Sequence, residues 1–463
     1  MTPAEKALAA EGIEILKKIK TATKAGEKTS GLEQVFGKRD CLGAGAATSG
    51  SLWIDFKMGG GHPPGRIIGI AGPERSGKSL LVTEAQAYQL EAYRTATYYD
   101  AEGANDPLFL KARGIDFDKY RGKRNKKGEL NPNQFDLINF YQPTTGEQVM
   151  HHMHTIMTAL PQNRASTLPP PVLFVLDSVL ALISDALTGD IDNKARAMHA
   201  SMYSQILPVI NGGLAHSGCT FIYTNQLRTK PGVKFGSPEY EPGGDALKFF
   251  SSLRLRLSSA KPQLWDSDHP FLNNKVIRGV VPKAGGVWQE PHLDENGKET
   301  GELDRYVYTA VRTEKNKVYN PFKVCWMRIQ FEENGGTGRG LDRVFDTFSF
   351  LADINLFRPA VKTAEDAKAG IKVDDLKGTF ELLPNTFYDL KKHGLKDRFT
   401  YYDFKHWVKS TPDLFHVLRR DLIESGLAYQ NLAENRVDTA PVEEGEAPSM
   451  SAPPPEALQQ AQA

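Results

Sequence analysis

Apolar residues occur in short runs along the middle of the chain, and amphipathic stretches separate these runs. Strand-like runs occupy residues 66–71, 96–100, 172–176 and 219–224, and segments with helical periodicity lie between them. Parallel strands need an intervening crossover, which is usually a helix that covers the sheet. The pattern therefore predicts an α/β fold, with a mostly parallel sheet between helices, from about residue 50 to 258.

The pattern changes towards both ends of the chain. Residues 3–20 carry a narrow apolar stripe at helical spacing and lysines at the C-terminal end, which predicts a helix. Residues 306–355 return to a strand-like pattern, and 372–430 predict a small mixed region rich in aromatic residues. Residues 431–463 combine prolines with acidic residues and contain almost no large apolar side chains, so we predict disorder there.

Composition narrows the class of protein. The net charge is +1, so any site for nucleic acid must be local. The three cysteines, Cys41, Cys219 and Cys325, form no C-x-x-C pair, which favours a reducing compartment over disulfides or a zinc site. No apolar run approaches the ~18 residues of a membrane span. We therefore expect a soluble intracellular protein with no membrane partner.

Residues 72–79 match the phosphate-binding loop pattern G-x-x-x-x-G-K-[ST] between a strand-like run and a helical one. The residues of the motif are Gly72, Pro73, Glu74, Arg75, Ser76, Gly77, Lys78 and Ser79. Backbone N–H groups of such a loop point at phosphate oxygens, beside the positive end of the helix dipole. We expect Lys78 to contact the β- and γ-phosphates and the Ser79 hydroxyl to ligate Mg²⁺.

Polar residues end three further strand-like runs, where open α/β sheets place their ligands. Asp177 is predicted to hold Mg²⁺ beside the γ-phosphate. Asp100 and Glu102 compete for the role of orienting the attacking water, and the pattern alone does not separate them. Gln226 is predicted to report whether the γ-phosphate is present.

A long stretch without apolar periodicity follows Gln226 and extends to about residue 245. Loops of this length are usually functional or disordered. Cations together with an aromatic side chain suit the backbone and bases of a nucleic acid. The candidate DNA-binding residues are Arg228, Lys230, Lys234, Phe235, Gly243 and Gly244.

Nine segments of the chain, taken together, resemble the RecA family of recombinases, bacterial or phage, in that family's order. They are residues 31–38, 48–52, 65–79, 100–107, 143–148, 177–178, 225–228, 243–249 and 315–317. The resemblance covers roughly residues 30–330. It implies a RecA-type phosphate-loop ATPase core, an N-terminal helical oligomerisation segment and a small C-terminal domain.

The resemblance also implies domain limits. We expect a polymerisation segment at 1–50, the ATPase core at 51–355, a small domain at 356–430 and a disordered tail at 431–463. Two stretches depart from the family and are expected to be insertions within the core, near 119–135 and 259–305.

The resemblance implies roles for individual residues. Glu102 looks like the catalytic glutamate, and Gln226 like the switch that couples ATP to DNA binding. Residues 228–244 resemble the second DNA-binding loop. The remaining implied roles are adenine contact for Asp106 and Phe109, coupling to the subunit interface for Lys248 and Phe249, and contact with the neighbouring subunit's ATP for Lys315 and Lys317.

The function implied is ATP- and Mg²⁺-dependent recombination in the cytoplasm, nucleoid-associated or in a phage-infected cell. The protein would form a homo-oligomeric helical filament on single-stranded DNA and pair it with duplex DNA, hydrolysing ATP to ADP and phosphate. A ring-forming helicase or motor with a RecA-type core, and a mediator paralogue, are the alternatives.

Two groups of cations leave further alternatives open. Residues 119–127 carry six cations, which suit either a solvated loop or an auxiliary contact with DNA phosphates. Cations and aromatic residues in the C-terminal region suit either duplex DNA or a solvated helical face. They are Lys391, Lys392, Lys396, Arg398, Lys405, Lys409, Arg419 and Arg420, with Tyr401, Tyr402 and Trp407.

Overall fold

The structure is a computed structural model of the 463-residue chain. It describes residues 45–123, 136–160, 170–184, 195–229, 239–259, 287–293, 299–331, 340–360, 363, 379–383, 388–411 and 413–429. The predictions for the N-terminal helix, most of the 119–135 stretch, and the 431–463 tail lie outside these residues. Among the described helices, none has the length and apolarity needed to cross a membrane.

The described chain alternates strands and helices. Its strands are β1 Ile67–Gly72, β2 Thr95–Asp100, β3 Ile138–Tyr141, β4 Val172–Asp177, β5 Thr220–Gln226, β6 Arg228–Thr229, β7 Glu239–Tyr240, β8 Leu253–Ser259, β9 Val287–Leu293, β10 Glu299–Asn316, β11 Val324–Phe331, β12 Gly340–Leu341, β13 Phe357–Pro359, β14 Thr379–Leu382 and β15 Arg398–Thr400. Its α-helices are α1 Leu52–Met58, α2 Lys78–Glu91, α3 Pro107–Lys111, α4 Phe117–Tyr120, α5 Gly146–Ala159, α6 Ala195–Ser217, α7 Asp245–Phe250, α8 Arg343–Asp353, α9 Tyr401–Ser410 and α10 Leu414–Leu418. A 3₁₀-helix, Leu390–His393, and a π-helix, Arg419–Glu424, complete the elements.

One large sheet has the strand order β12-β11-β10-β8-β1-β5-β4-β2-β3, and β9 pairs with β10. The six strands from β8 to β3 are parallel to one another, whereas the pairs β8–β10, β10–β11 and β11–β12 are antiparallel. The prediction of a mostly parallel sheet is therefore confirmed. The four strand-like runs correspond to β1, β2, β4 and β5, within one or two residues at each end.

Side chains alternate between the two faces of the sheet, and each face has its own apolar cluster. Ile68 and Ile70 of β1 belong to one cluster, whereas Ile67 belongs to the other. On the second face, methionines of α5 and apolar residues of α6 cover β4 and β5. Because both faces are buried, β1 reads as a continuous apolar run rather than an alternating one.

The prediction that residues 306–355 form strands is wrong in its last part, where α8 occupies Arg343–Asp353. The Asp342 side chain accepts hydrogen bonds from the backbone N–H groups of Val344 and Phe345, both at 3.0 Å, and so caps the helix. Many apolar side chains of α8 are buried, Phe348 among them. Its apolar residues Val344, Phe345, Phe348 and Leu351 recur at helical spacing, and this spacing and the Asp cap are the signals that identify the helix.

The C-terminal region, defined here as the described residues from 357 to 429, belongs to the same apolar cluster as α1 and α8. Phe348 of α8 lies 4.8 Å from Phe357 and 5.0 Å from Phe380, measured between ring centroids. Tyr429 stacks on Phe56 of α1 at 5.1 Å. The mixed strands and helices expected here are confirmed, and the region packs on the core through a continuous apolar interior.

Candidate nucleotide-binding site

The phosphate-binding loop connects the end of β1 to the start of α2. Gly77 has φ +86°, a left-handed conformation that favours glycine. A Cβ atom at Gly77 would lie 2.7 Å from Ile329 Cδ1, and one at Gly72 would lie 2.6 Å from Ser76 Oγ. The backbone thus turns in a space that admits no side chain at either end of the loop, and this leaves its N–H groups free to face a ligand.

The other loop residues stabilise the turn or face outwards. The Ser76 hydroxyl donates to the carbonyl oxygen of Pro73 at 2.8 Å. Arg75 has φ +60°, and both Glu74 and Arg75 are exposed. The two charged side chains are therefore accessible to a nucleotide or to another molecule.

Lys78 begins α2, and its side chain is largely buried. Its ammonium donates to the carbonyl oxygens of Gly72 at 3.1 Å and Pro73 at 2.7 Å. Burial lowers the pKa of Lys78, and the carboxylates of Asp177 and Glu102, among others, oppose that shift. Since an ammonium has three N–H donors, one remains for a phosphate oxygen.

Asp177 ends β4 and is buried at the same edge of the sheet. One carboxylate oxygen accepts the Tyr98 hydroxyl at 2.8 Å, and the other accepts the Thr224 hydroxyl. These donors come from β2 and β5, the strands on either side of β4. The carboxylate is therefore held in one orientation by both neighbouring strands.

Asp100 and Glu102 lie in different surroundings. Asp100 is buried, and its two oxygens accept the backbone N–H groups of Ala104 at 3.3 Å and Asn105 at 3.2 Å. Glu102 is exposed, and its backbone N–H donates to the Asp177 carbonyl oxygen at 3.4 Å. Asp100 thus stabilises the loop that follows β2, whereas the Glu102 carboxylate stands at the open edge.

Two donors meet on one oxygen of Glu102. The Ser178 hydroxyl donates to Oε1 at 2.5 Å, and the Gln226 side-chain amide donates to the same atom at 3.3 Å. Within the described part of the chain, Oε2 is left to accept from a water molecule. The structure therefore brings Lys78, Asp177, Glu102 and Gln226 to the carboxyl ends of adjacent strands.

The residues at this edge fit Mg²⁺. Ser79 and Asp177 supply hydroxyl and carboxylate oxygens, the ligand type that magnesium prefers. The described residues contain no group of three His, Cys, Asp or Glu side chains that could hold a metal ion. Mg²⁺ is usually bound by only one or two protein ligands where substrate phosphates complete its coordination.

Asp106 directly precedes α3 and Phe109 lies within it, beyond the loop that carries Glu102. Asp106 caps the helix, since its carboxylate accepts the backbone N–H groups of Leu108 at 2.7 Å and Phe109 at 3.3 Å. The Arg113 guanidinium lies 3.6 Å from the Phe109 ring centroid and donates to Thr83 of α2 at 3.4 Å. The described contacts thus join Phe109, through Arg113, to the helix that starts with Lys78.

The strands β6 and β7 pair at the base of the long loop that follows Gln226, with Arg228 opposite Tyr240. Arg228 is exposed. Gly243 and Gly244 have φ +96° and +83° and lead into α7. Both glycines therefore serve a backbone turn at the base of the loop. Lys230, Lys234 and Phe235 lie outside the described residues.

Lys315 and Lys317 lie away from the phosphate-binding loop of their own subunit. Lys315 is opposite Arg254 in the sheet, three residues along β8 from Leu257, whose carbonyl oxygen lies beside Gly72. That separation is roughly 10 Å along the strand. The structure thus groups Lys315 and Lys317 with α7 rather than with Lys78.

At α7 the Lys315 ammonium donates to the carbonyl oxygens of Lys248 at 2.7 Å and Phe249 at 3.0 Å. The Lys317 ammonium lies 6.0 Å from the Phe249 ring centroid, and that ring is 70% exposed. Lys248 itself lies 3.4 Å from Asp245. The four residues with implied interface roles are therefore neighbours on one surface.

The structure decides the open alternatives for two C-terminal side chains. Arg419 is buried against Asp55 at 3.1 Å, and Trp407 is buried with its indole N–H on the His393 carbonyl oxygen at 2.7 Å. Neither side chain is part of a solvated face or available to DNA. Lys391, Lys396, Arg398 and Arg420 each lie within ion-pair distance of a carboxylate, those of Asp397, Asp403, Glu381 and Asp421 respectively.

Sequence reasoning assigned no role to Tyr98, Thr224 or Ser178. Tyr98 and Thr224 each lie two residues before a strand end, and Ser178 directly follows Asp177. Their position next to strand-ending polar residues is the signal that could have identified them. Their hydroxyls orient the carboxylates of Asp177 and Glu102.

Comparisons with known proteins agree on one family. The family model described as the RecA N-terminal domain matches residues 17–294. Protein RecA of Trichodesmium erythraeum is 30% identical over 322 residues, which cover 68% of this chain and 71% of that protein. Protein RecA of Clostridioides difficile is 30% identical over 362 residues, which cover 76% of this chain and 84% of that protein. A match to a solved structure of the RadB recombinase has 16% sequence identity and a TM-score of 0.36, and covers 61% of this chain and 96% of that chain.

Proposed function

Because the chain belongs to the RecA family of recombinases, we propose that it is a DNA-dependent ATPase that forms helical filaments on single-stranded DNA and catalyses homologous pairing and strand exchange with duplex DNA. The proposed cofactors are ATP and Mg²⁺. The proposed compartment is the cytoplasm, on the DNA of a bacterium or of a phage-infected cell.

One observation carries the catalytic part of this proposal. Lys78, Asp177, Glu102 and Gln226 come from four different stretches of the chain, and they meet at the carboxyl ends of β1, β2, β4 and β5. Open α/β sheets bind their ligands at this edge. The arrangement supplies a cation for phosphate, a carboxylate for the metal, a carboxylate for water and an amide donor.

The proposed mechanism assigns each of these side chains a step. Lys78 neutralises charge on the β- and γ-phosphates, and the loop N–H groups hold the phosphate oxygens. Glu102 uses Oε2 to orient the attacking water, while Ser178 and Gln226 fix its other oxygen. Bound Mg²⁺, held by Ser79 and Asp177, would supply electrostatic stabilisation of the developing phosphate charge.

Gln226 is the proposed switch between nucleotide and DNA. It contacts Glu102 on one side, and β6 begins two residues after it, so a change at the γ-phosphate is close to the proposed DNA-binding loop. Lys315 and Lys317 are proposed to act on the ATP of the neighbouring subunit, as an arginine finger does in trans. Their distance from their own phosphate-binding loop supports this.

The test combines hydrolysis with microscopy. We expect the wild-type protein to hydrolyse ATP faster with single-stranded DNA than without it, and to form helical filaments with a non-hydrolysable ATP analogue in negative stain. Closed rings would instead support a motor with the same core. The double variant Lys315→Ala, Lys317→Ala should lose DNA-stimulated hydrolysis, and mixing it with Glu102→Gln subunits should restore part of it. No recovery in filaments that contain both subunits would contradict a shared site.

A further inference from the structure

Five charged side chains form a connected set, which we call the charge ladder, between the base of the long loop and β10. Arg254 pairs with Glu241 and with Glu314, at 3.0 Å for the second pair. Arg256 pairs with Glu239 and with the other oxygen of Glu314, at 3.1 Å for the second pair. Glu314 therefore bridges the two arginines, and each arginine also holds one glutamate at the loop base.

The strand geometry explains how the charge ladder assembles. Arg254 and Arg256 are two residues apart on β8, so their side chains lie on the same face, while the leucines between and beside them are buried on the other. Glu239 and Glu241 have the same spacing. The side chains range from 7% exposed at Glu241 to 41% at Glu239. The Arg254–Glu241 pair is thus shielded from solvent. Shielded ion pairs are screened less by salt than exposed ones.

A β-bulge places Glu314 beside Lys315. Thr313 is opposite Leu255 and Lys315 is opposite Arg254, so Glu314 is an extra residue in β10. In a regular strand two consecutive side chains point to opposite faces, whereas a bulge re-aims one of them. Lys315 lies directly opposite Arg254 in the sheet. Burial lowers the pKa of Lys315, and the charges of Lys317 and Arg254 add to that shift. The charge ladder and Lys315 therefore share one surface.

One further contact ties the base of the loop to the strand that ends in Gln226. The Asn225 side-chain amide, next to Gln226, donates to the Pro242 carbonyl oxygen at 2.9 Å. Pro242 directly follows Glu241, the inner glutamate of the charge ladder. The loop base thus contacts the strand that ends in Gln226 on one side and, through Arg254 and Glu314, the strand that carries Lys315 on the other.

We propose that Glu314 is a positioning residue which, through Arg254 and Arg256, couples the state of the DNA-binding loop to the placement of Lys315 at the subunit interface. The proposal rests on the proposed function and adds to it a route by which DNA held by one subunit controls hydrolysis at the site it shares with a neighbour. A nucleic acid strand that shifts β7 would move Glu239 and Glu241, and the arginines would pass that shift to Glu314.

The test uses the full chain and a matched pair of variants. Glu314→Gln removes the bridging charge at similar size. Glu381→Gln is the control, since Glu381 also bridges two arginines, Arg358 and Arg398, but in the small C-terminal sheet. We expect Glu314→Gln to lower DNA-stimulated kcat about tenfold, within the usual range of allosteric coupling, with little change in basal hydrolysis or in KM for ATP. Glu381→Gln should keep full stimulation.

A double-mutant cycle asks whether the loop base and Glu314 act as one unit. Glu239→Gln alone should reduce stimulation, and adding it to Glu314→Gln should cost less than the product of the two single effects, since residues in one network are non-additive. Strictly multiplicative losses would overturn the coupling.

Mixed filaments locate the defect. At an interface where a Glu314→Gln subunit supplies Glu102 and a Glu102→Gln subunit supplies the lysines, the stimulated rate should recover. If the rate does not recover, the Glu314→Gln substitution has damaged the part of its own subunit that supplies Glu102. That result would overturn the proposal. Full stimulation in Glu314→Gln, or an equal loss in Glu381→Gln, would overturn it as well. A wild-type protein whose hydrolysis ignores DNA would instead overturn the proposed function, and this inference with it.

Discussion

The edge of the sheet around the phosphate-binding loop and the C-terminal region are both rich in charged side chains, but they use them differently. At the edge, Lys78 and Glu102 keep a donor and an acceptor available, because their partners occupy only part of each group. In the C-terminal region Arg419 uses all sides of its guanidinium on Asp55, Glu424 and the carbonyl oxygens of Ala46 and Gly60.

The difference shows that a count of cations does not identify a surface for DNA. Ion pairs between neighbouring side chains neutralise much of the charge in the C-terminal region before any ligand arrives. Catalysis instead requires charged groups that are fixed in position and that still have a hydrogen-bond donor or acceptor available for a ligand. Substitutions at the edge should therefore change activity at constant stability, and substitutions at Arg419 should do the reverse.

The largest expected effect lies at the edge. Glu102→Gln should leave ATP binding intact and slow hydrolysis by roughly 10²–10⁴-fold, the usual contribution of a positioned base. Single-turnover kinetics and the thermal midpoint together check that activity falls at unchanged stability. Asp100→Asn is the comparison variant, because the Asp100 carboxylate accepts hydrogen bonds from backbone N–H groups of the following loop. A larger loss of turnover in Asp100→Asn would return the role to that carboxylate.

Next in size is the buried pair of the C-terminal region. Arg419→Met should lower the free energy of unfolding by about 3–5 kcal/mol, because it leaves the buried Asp55 carboxyl without its cation. Chemical denaturation measures this. Arg420→Met is the matched control, since Arg420 is the next residue along the chain and its side chain is exposed. This substitution should change stability by less than ~0.5 kcal/mol. Equal effects of both would contradict the contrast between the two arginines.

A smaller effect should appear as pH dependence. Burial, together with the charge of Arg419, lowers the pKa of His62 to about 3. The unfolded chain therefore takes up a proton below pH 6.5 that the folded protein does not, so stability is complete above that pH and is lost as pH falls towards 3. Between pH 7 and 5 the loss attributable to His62 is about 2 kcal/mol. The difference in unfolding free energy between wild type and His62→Gln should change by that amount, and parallel pH curves would refute the prediction.

The smallest expected effect is on DNA binding by the C-terminal region. Lys391→Gln with Lys396→Gln should leave affinity for DNA and its salt dependence unchanged, since both lysines face carboxylates. Lys230→Gln with Lys234→Gln should flatten the salt dependence by roughly 0.7 per lost phosphate contact on a single strand. Titrations at several salt concentrations compare the two pairs. A flatter slope for the Lys391 and Lys396 pair would show that DNA competes for those ion pairs.

The sequence predicted the parallel sheet and the composition of the phosphate-binding edge, because strand ends and glycine-bounded loops leave local signals. It could not separate Asp100 from Glu102 by pattern alone, since both lie at the end of the same strand and only the surrounding donors differ. Arg419 was equally inaccessible to sequence reasoning, because its partner Asp55 is 364 residues away along the chain. The interpretation of α8 as strand was wrong although the signals were local, since its apolar residues have helical spacing and Asp342 supplies a cap.

The β-bulge at Glu314 also bears on how this chain could vary among lineages. Because Thr313 and Lys315 already pair with consecutive residues of β8, deleting codon 314 would leave the neighbouring pairs in register and remove only the carboxylate. Gain or loss of this acid therefore needs a single-codon insertion or deletion and no compensating change in the sheet. A member without it would keep its lysine opposite Arg254 and, on the coupling proposed above, would need another route between the proposed DNA-binding loop and the neighbouring subunit.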